Sequence, residues 1–418
     1  MAVDYLSAIR KSSTVLPSRS RLNPVKELVI PQPVQRVMAY LAVMGRCYLC
    51  GGVVRDFLMS RQPKDYDLIS DASAEMIARI PGAKVMSNTT NTIFVHVDGI
   101  EIEITSLQNK SKHRIVDDLM DRDLAVNSLA IQASVKNGQV VLGTLLDPTG
   151  RGVDDIREGV VHFSDTAAIT PERLIRTCRF ASTLNFTASS ETVEKLRTHG
   201  GSIGQAPAEK VQTELIKLLE SDNPAAGLSL MIETGILEHM LKFAKSPAEV
   251  SAQNASLDRI ERAASDVRLV VLLKELGYTS KNVNGFLKTY CFSNEEIQRC
   301  QKLLEALESS DKLGSDPEIR NVLAKLVGNK KKDQHLENLL SLLKAYSLLP
   351  NELEIRIRKD SQDPLTIREL AINGDDLMPM GLSGPEIGKT LKRLLALVLS
   401  DPDINSKETL LSKIREVK

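Results

Sequence analysis

The chain has 418 residues, enough for two to four domains at roughly 100–200 residues each. Lysine plus arginine and aspartate plus glutamate each number 54, so the formal net charge is zero and no overall basic charge indicates nucleic-acid binding. Any such surface must be a local basic patch. Tryptophan is absent and aromatic residues make up 4% of the chain, which argues against a surface built on base stacking.

The five cysteines do not form a metal-binding or disulfide pattern. Cys47 and Cys50 are three residues apart, and on a strand such residues face opposite sides. A reduced protein of the cytoplasm is the simplest interpretation. No stretch reaches the ~18–20 apolar residues that cross a bilayer, so we expect no membrane partner. Residues 1–30 contain arginines and serines typical of an organelle transit peptide, although a disordered extension fits equally well.

Residues 34–155 mix strand and helix patterns, and from about residue 156 the pattern is helical. The first informative element is a predicted strand over residues 46–50, followed by Gly51-Gly52 and a helix that opens around Val54. A strand, a double glycine and a helix form the geometry in which backbone N–H groups approach phosphates closely. An ordinary tight turn is the alternative interpretation of the glycines.

The next feature is a pair of aspartates on a predicted strand. Asp65 and Asp67 are two residues apart, so both project from one face while Tyr66 and Leu68 project from the other. Two neighbouring carboxylates repel each other, which is tolerable mainly when a divalent cation lies between them. The alternative is a solvated edge strand.

A third acidic position follows on a strand in which isoleucines alternate with Glu101, Glu103 and Thr105. If this strand pairs beside the strand of Asp65, either Glu103 or Glu101 completes the acidic site. An amphipathic edge strand with its glutamates in water is the alternative. In this order, the glycine turn and the carboxylates favour nucleotidyl transfer.

These elements resemble the class II tRNA nucleotidyltransferase and bacterial poly(A) polymerase family of the polymerase-β superfamily. Residues 121–128 are similar to the family's second motif, R-R-D-F-x-x-N-A, with Asp121 in place of the first arginine. Asn127 matches the asparagine of this motif, so the resemblance places it in the nucleotide-binding site. The resemblance further implies that Asp123 holds the ribose and that the triphosphate is held by Gly51, Gly52, Arg55 and Arg122.

The helix predicted after Thr170 departs from the family pattern. Arg173 matches the arginine of the family's E-D-x-x-R motif, but Ile169 and Thr170 replace the two acids. In the family that aspartate and arginine contact the edge of the incoming C or A, so base selectivity is left open. Thr170 is a good N-cap, and Arg173 and Arg176 share one helix face. All three are candidates for the nucleotide site, with a solvated basic face as the alternative.

The C-terminal part contains two candidate RNA-binding regions. Residues 374–408 are similar to the tail domain of bacterial CCA-adding enzymes. A helix that starts near Gly384, with Gly388 and Lys389 in its early turns, would offer N–H groups and positive charge to a nucleic-acid backbone. A helix cap without a ligand is the alternative. The second candidate is the triplet Lys330-Lys331-Lys332, which a solvated loop explains equally well.

The resemblance implies an α+β fold in which a polymerase-β-like nucleotidyltransferase head, a mixed sheet plus helices, precedes an all-helical neck, body and tail. We expect an extension over residues 1–30, the head over 31–155 and the neck, which binds nucleobase and RNA, over 156–225. The body then covers residues 226–345, and a tRNA-binding tail covers 346–418.

The implied activity is template-independent addition of C and A nucleotides to tRNA 3′ ends, with CTP and ATP as substrates and two Mg²⁺ ions. The implied partner is tRNA, contacted at its acceptor end and elbow. The segment of residues 109–118 is short, and it resembles the corresponding segment of relatives that add only part of the CCA sequence. CC-only or A-only addition therefore ranks second, and poly(A) synthesis ranks third. A catalytically inactive tRNA-binding relative is the rival of another class. The sequence does not predict the oligomeric state.

Overall fold

The computed structural model describes residues 30–82, 84–89, 92–108, 114–327 and 332–416. The chain divides into two compact units. One contains the residues up to Ala206 together with Glu233–Ile236, and the other contains Pro207–Ile232 and Leu237–Lys418. The finer division into extension, head, neck, body and tail stays a prediction.

The first unit opens with a mixed set of strands and helices, as predicted. In chain order these are α1 (Gln32–Met44), β1 (Cys47–Cys50), α2 (Gly52–Leu58), β2 (Tyr66–Ser70), α3 (Ala74–Ile77), β3 (Lys84–Thr89), β4 (Thr92–Val97), β5 (Ile100–Ser106), α4 (Ile115–Met120), the 3₁₀ turn Ala125–Asn127, β6 (Ala130–Lys136) and β7 (Gln139–Leu146).

One sheet contains these strands in the order β3-β4-β5-β2-β1-β6-β7. Strands β2 and β5 pair in parallel, and the other neighbours pair antiparallel. Cys47 packs in the larger core, which contains α1, whereas Cys50 packs with Leu119 of α4 in a smaller core. The two cysteines therefore face opposite sides of the sheet, as the strand period requires.

The remainder of the first unit is mainly helical. Its elements are α5 (Gly152–Glu158), β8 (Val160–Val161), α6 (Pro171–Leu184), β9 (Thr187–Ala188), α7 (Ser190–His199) and the 3₁₀ segment Gly200–Gln205. Strands β8 and β9 pair in parallel, so a short strand pair interrupts the helical pattern expected after residue 156. The segment after β8 supports the 3₁₀ turn before β6, because the Ala125 N–H donates to the His162 carbonyl at 3.1 Å.

From residue 208 the described chain is helical. The elements are α8 (Ala208–Leu219), α9 (Pro224–Glu233), α10 (Ile236–Phe243), α11 (Leu257–Arg262), α12 (Ser265–Glu275), α13 (Val283–Thr289), α14 (Asn294–Glu308), α15 (Asp316–Val327), α16 (Lys332–Ala345), α17 (Asn351–Asp360), α18 (Gly374–Leu377), α19 (Pro385–Ser400) and α20 (Lys407–Glu416), with short 3₁₀ turns at Ala252–Asn254, Ser310–Lys312, Ile367–Glu369, Met378–Met380 and Pro402–Ile404.

The last helices form a core of their own around Leu377, Leu394, Val398 and Leu410. Helix α19 begins after Gly384, whose φ of +49° lies in the left-handed region that favours glycine. The predicted helix start near residue 384 is therefore confirmed.

Candidate active site

Asp67 and Glu103 face each other on the two parallel strands of the sheet. The register pairs Asp67 on β2 with Glu103 on β5, and both residues are half-buried. Their strand neighbours Leu68 and Ile104 pack into the larger core, so the two carboxylates lie on the opposite face. The predicted adjacency of these strands is confirmed.

Asp65 and Glu101 lie at the margin of this pair. Asp65 is exposed in the bend before β2, which begins at Tyr66, so the expectation that both aspartates lie on the strand is wrong for Asp65. Glu101 is also exposed, and its register partner on β4 is His96. Of the two glutamates that the sequence left open, the geometry favours Glu103 as the third carboxylate.

The paired carboxylates are short of positive charge. Burial raises the pKa of Asp67 and the pKa of Glu103 above the ordinary carboxyl values. The charge of Asp67 raises the pKa of Glu103 further, while Arg122 and Arg176 lower both values only in part. Negative charge is therefore unfavourable here, and a cation between the carboxylates would relieve it.

A divalent cation fits this donor set. Mg²⁺ takes oxygen ligands and is commonly bound through one or two carboxylates, and Asp67 and Glu103 supply such oxygens at one place on the sheet. Within the described ranges, no three His, Cys, Asp or Glu side chains are assembled as a ready metal-binding group. Asp65 is exposed, but its charge raises the pKa of both Asp67 and Glu103, so it lies within electrostatic range of the pair.

Gly51 allows Arg122 to approach the start of α2. Its φ is +70°, and a Cβ at this position would collide with Nη1 of Arg122. The Gly51 N–H donates to the Leu129 carbonyl at 2.8 Å, so this group is used within the protein and is not kept for a phosphate. The predicted phosphate contact of the turn is left to Gly52, the first residue of α2.

Asn127 connects two arginines. Its Oδ1 accepts a hydrogen bond from Arg55 Nη1 at 2.6 Å, and its carbonyl accepts one from Arg122 Nη1 at 3.4 Å. Arg55 also donates to Asp56 through Nε and Nη2. Asn127 is 5% exposed. Its observed contacts support the arginines, whereas the family resemblance implies a contact with the nucleotide.

Two groups that the sequence analysis did not single out also hold Arg122. Its Nε lies 3.6 Å from Asp118 Oδ2, and its Nη2 lies 3.4 Å from Cys50 Sγ. Burial raises the pKa of Cys50 to about 12, so the sulfur remains a thiol. The four-residue spacing of Asp118 and Arg122 could have indicated their ion pair. Nothing in the pattern around Cys50 indicated its contact.

Helix α6 begins after Thr170, with Pro171 in its first position, as predicted. The expected side-chain cap is not formed, because Thr170 Oγ1 makes no capping hydrogen bond. This oxygen is buried and has no hydrogen-bond partner among the described atoms. A nucleotide contact through the Thr170 hydroxyl would therefore require a local rearrangement.

Arg173 and Arg176 of α6 both reach the segment 121–123, which confirms that they share a face. Arg173 donates to the carbonyls of Ala168 and Asp121 at 3.0 and 2.8 Å, so it anchors the residue that stands in place of the family's first arginine. Arg176 Nε lies 2.7 Å from Asp123 Oδ2. Base contact by Arg173 stays a prediction.

Not all of the predicted site residues belong to the same unit as the carboxylates. The carboxylates, the glycine turn, Arg55, the 122–127 segment and the arginines of α6 all belong to the first unit. Gly384, Gly388 and Lys389 belong to the second unit, at the start of α19. Lys330, Lys331 and the side chain of Lys332 lie outside the described residues, as do residues 109–113 of the segment 109–118.

Family models match three consecutive parts of the chain. The poly(A) polymerase head domain matches residues 47–162 and so covers the carboxylates, the glycine turn, Arg55 and Arg122. The RNA- and SrmB-binding site of polymerase A matches residues 185–246, and domain 2 of tRNA nucleotidyltransferases matches residues 263–414. The chain belongs to the tRNA nucleotidyltransferase and poly(A) polymerase family.

Curated members of this family show two kinds of similarity. The CC-adding tRNA nucleotidyltransferase of Halalkalibacterium halodurans is 34% identical over 193 residues, which is 45% of this chain and 48% of that protein. The chain therefore spans about half the length of this relative. The CCA-adding enzyme of Limosilactobacillus reuteri is 25% identical over 430 residues, 94% of this chain and 98% of that protein.

Solved structures of the family share the fold. The Bacillus stearothermophilus CCA-adding enzyme in complex with CTP has a TM-score of 0.71 at 22% identity and covers 93% of this chain and 99% of that chain. The Thermotoga maritima CCA-adding enzyme complexed with tRNA has a TM-score of 0.64 at 20% identity and covers 93% and 97%. Among the described helices, none is both long and apolar enough to cross a membrane.

Proposed function

We propose that the protein is a metal-dependent nucleotidyltransferase that adds C and A nucleotides to tRNA 3′ ends without a template and releases pyrophosphate. The observation that carries this proposal is the register of Asp67 with Glu103, next to the half-buried Arg122 and the glycine turn. Carboxylates on one side and arginines on the other are the components that nucleotidyl transfer needs.

Asp65 and Asp67 would hold Mg²⁺, with Glu103 beside them. Two such ions, when bound, lower the pKa of the attacking 3′-hydroxyl and neutralise the α-phosphate and the departing pyrophosphate. Arg55 and Arg122 are fixed by Asn127 and would bind the triphosphate. A pre-positioned guanidinium loses little freedom on binding, so these contacts favour the transition state.

The substrates follow from the relatives and the two units together. The solved relatives include complexes with CTP, with ATP and with tRNA, which supports these molecules as substrates and partner here. The first unit supplies the catalytic groups. In the second, the start of α19 at Gly384, with Gly388 and Lys389, would contact the tRNA backbone. We expect the reaction to take place in the cytoplasm.

CC-only addition is the second candidate. It is favoured by the 34% identity to a CC-adding relative over 193 residues. The 25% identity to a CCA-adding enzyme extends over 94% of this chain, which keeps full CCA addition first. A-only addition and poly(A) synthesis have no comparable support.

Sequencing the products tests the proposal. The full chain is incubated with Mg²⁺, CTP and ATP on tRNAs that end before, within and after CCA, and on an unrelated RNA as the control. We expect the tRNAs that end before or within CCA to be completed to CCA, and the tRNA that already carries CCA and the unrelated RNA to stay unchanged. Termination after CC would select the second candidate, a long A tail on the unrelated RNA would indicate poly(A) synthesis, and tRNA binding without incorporation would identify an inactive relative.

A further inference from the structure

Three arginines lie over the ring of Phe180 on α6. The residue is 6% exposed and packs in the larger core of the first unit. The guanidinium carbons of Arg55, Arg176 and Arg179 lie 5.3, 5.5 and 3.8 Å from the ring centre. All of these distances are within the roughly 6 Å at which the face of an aromatic ring attracts a cation. One ring therefore collects positive charge from α6, where two of the arginines lie, and from α2, where Arg55 lies.

The guanidinium of Arg55 also has two polar partners. Its Nε and Nη2 donate to Asp56 Oδ1 at 2.9 and 2.7 Å, and its Nη1 donates to Asn127 Oδ1 at 2.6 Å. These hydrogen bonds lie along the edges of the group, because the N–H donors of a guanidinium point outward in its plane. The contact with Phe180 uses no N–H group, so it competes neither with these partners nor with an incoming phosphate.

Arg55 lies against the glycine turn. A Cβ at Gly52 would lie 3.4 Å from Nη2 and 3.8 Å from Nη1 of Arg55. Both Nη groups are therefore beside the residue that is left to make the predicted phosphate contact. Guanidinium groups bind phosphate oxygens through pairs of charge-assisted hydrogen bonds, which depend on the orientation of the planar group. Whatever orients Arg55 therefore affects the binding of a phosphate at this turn.

The same guanidinium is connected to the carboxylates by direct contacts. Asn127, which accepts from Arg55, also accepts from Arg122 Nη1 at 3.4 Å through its carbonyl. A Cβ at Gly51 would collide with Arg122 Nη1 and would lie 3.5 Å from Asp67 Oδ2, so the arginine and the carboxylate flank one point at the turn. The arginine over the ring is thereby linked to the carboxylate that is proposed to hold Mg²⁺.

We infer that Phe180 is a positioning residue for nucleotidyl transfer, whose ring holds the Arg55 guanidinium beside the glycine turn and so determines how tightly the triphosphate is bound. The inference rests on the proposed function, because it requires a nucleoside triphosphate to bind at that turn. The ring is buried, so it acts through Arg55. Because Phe180 belongs to α6, the helix that carries Arg173 as the candidate for base contact also supports the phosphate-binding side of the site.

The test compares side chains that keep or remove the ring. Phe180→Leu stays apolar but has no π face, whereas Phe180→Tyr keeps that face. Phe180→Met is a second ring-free variant, whose flexible side chain fills irregular space if Phe180→Leu does not fold. Phe292→Leu is the matched control, because Phe292 is also buried, at 5% exposure, and belongs to the second unit. The readouts are the Tm, the binding of CTP to the full chain with Mg²⁺ by calorimetry, and the binding of CMP by competition with CTP.

We expect Phe180→Leu to weaken CTP binding on the order of tenfold, because Arg55 loses the ring that orients it. The binding of CMP is expected to change by less than about twofold, since CMP lacks the β- and γ-phosphates. In incorporation assays the KM for CTP should rise with a smaller change in kcat. Phe180→Tyr and Phe292→Leu are expected to bind CTP within about threefold of the unaltered chain.

Two further comparisons separate positioning from a loss of stability. Phe180→Leu and Phe292→Leu should both lower the Tm, since each removes part of a buried ring, but only the first should weaken CTP binding. The double variant Phe180→Leu with Arg55→Gln is expected to bind CTP no more weakly than Arg55→Gln alone, because both changes remove the same interaction.

Unchanged CTP binding in the ring-free variants would overturn the inference. Equal weakening of CTP and CMP, a Phe180→Tyr variant as weak as Phe180→Leu, or additive effects in the double variant would overturn it as well, because each means that the ring does not act through Arg55. An unaltered chain that binds no CTP would overturn the proposed function and the inference with it. The other outcomes concern the inference alone, because they are measured against an unaltered chain that binds CTP.

Discussion

Arg55 and Asn127 are 72 positions apart in the chain and share a buried hydrogen bond of 2.6 Å between Nη1 and Oδ1. This bond joins the helix after the glycine turn to the 3₁₀ turn that follows Arg122. The two arginines proposed to bind the triphosphate are thus held by one asparagine. Both guanidinium groups therefore have hydrogen-bond partners within the protein.

Asn127→Ala is expected to weaken nucleotide binding, because it removes the side-chain oxygen that holds Arg55. Arg55 Nη1 loses its acceptor, and we expect the KM for CTP and for ATP to rise on the order of tenfold with a smaller change in kcat. Asn338→Ala in the second unit is the matched control, because Asn338 is also buried, at 3% exposure. Steady-state kinetics would contradict this account if both variants raised KM equally.

Gly51→Ala is expected to displace Arg122. The added Cβ would collide with Arg122 Nη1, and the left-handed φ adds about 1–2 kcal/mol of strain. Gly138→Ala is the control, since Gly138 has a φ of +74° and open space around a Cβ. Incorporation assays should show a loss of more than about tenfold for Gly51→Ala alone. Equal activity of the two variants would mean that the approach of Arg122 does not matter.

Part of this arrangement follows from the sequence and part does not. The period-2 pattern around Asp67 and Glu103 placed both carboxylates on the face away from the core, and the sequence at Thr170 predicted the start of α6. These are local patterns. The contact between Gly51 and Arg122 joins residues far apart in the chain, so a glycine that clears space for a side chain looks the same in sequence as one that binds phosphate.

Two other differences have a similar physical origin. The parallel pair of Val160–Val161 with Thr187–Ala188 is too short to show an alternating pattern within a helical region. Thr170 occupies the predicted N-cap position, but whether its hydroxyl forms the cap depends on a rotamer that tertiary contacts decide. The sequence therefore predicted helices, strands and the face on which a side chain lies. The pairing partner of a short strand and the contacts of individual side chains became known only from the structure.

Asp67→Asn is expected to abolish transfer while it stabilises the metal-free fold. Burial, with a smaller effect of Asp65, raises the pKa of Asp67 above 3.8. Folding therefore favours the protonated form of Asp67. The stability that this proton binding contributes is complete below pH 3.8, and it is lost as the pH rises through the pKa of Asp67 in the folded chain. At pH 7 without Mg²⁺ the variant is spared the cost of a buried charge and should melt on the order of 2 °C higher.

Calorimetric melting against pH checks this sign. The advantage of Asp67→Asn should shrink as the pH falls toward 4, because the original side chain then becomes neutral. Added Mg²⁺ should raise the Tm of the original chain and have little effect on the variant. A variant that melts lower than the original at pH 7 without metal would contradict the electrostatic description of the site.

Arg320→Met is expected to destabilise the second unit. Arg320 donates to the carbonyls of Leu399 and Ser400 at 2.7 and 3.2 Å, and its Nη1 lies 3.5 Å from the fully buried Asp360. Removing the guanidinium leaves a buried carboxylate unpaired, which costs about 3–5 kcal/mol. Thermal unfolding measures this, and Arg320→Met with Asp360→Asn should recover part of the loss. No recovery would mean that the carbonyl contacts dominate.

The measurement that tests the central claim most directly compares two glutamates of one strand. Glu101 and Glu103 share a face of β5, but only Glu103 is in register with Asp67. We therefore measure single-turnover incorporation of labelled CTP into tRNA that lacks its CCA end, with Glu103→Gln and Glu101→Gln. The account predicts a loss of at least about 100-fold for Glu103→Gln and nearly unchanged activity for Glu101→Gln. Full activity of Glu103→Gln, or a comparable loss in Glu101→Gln, would contradict it.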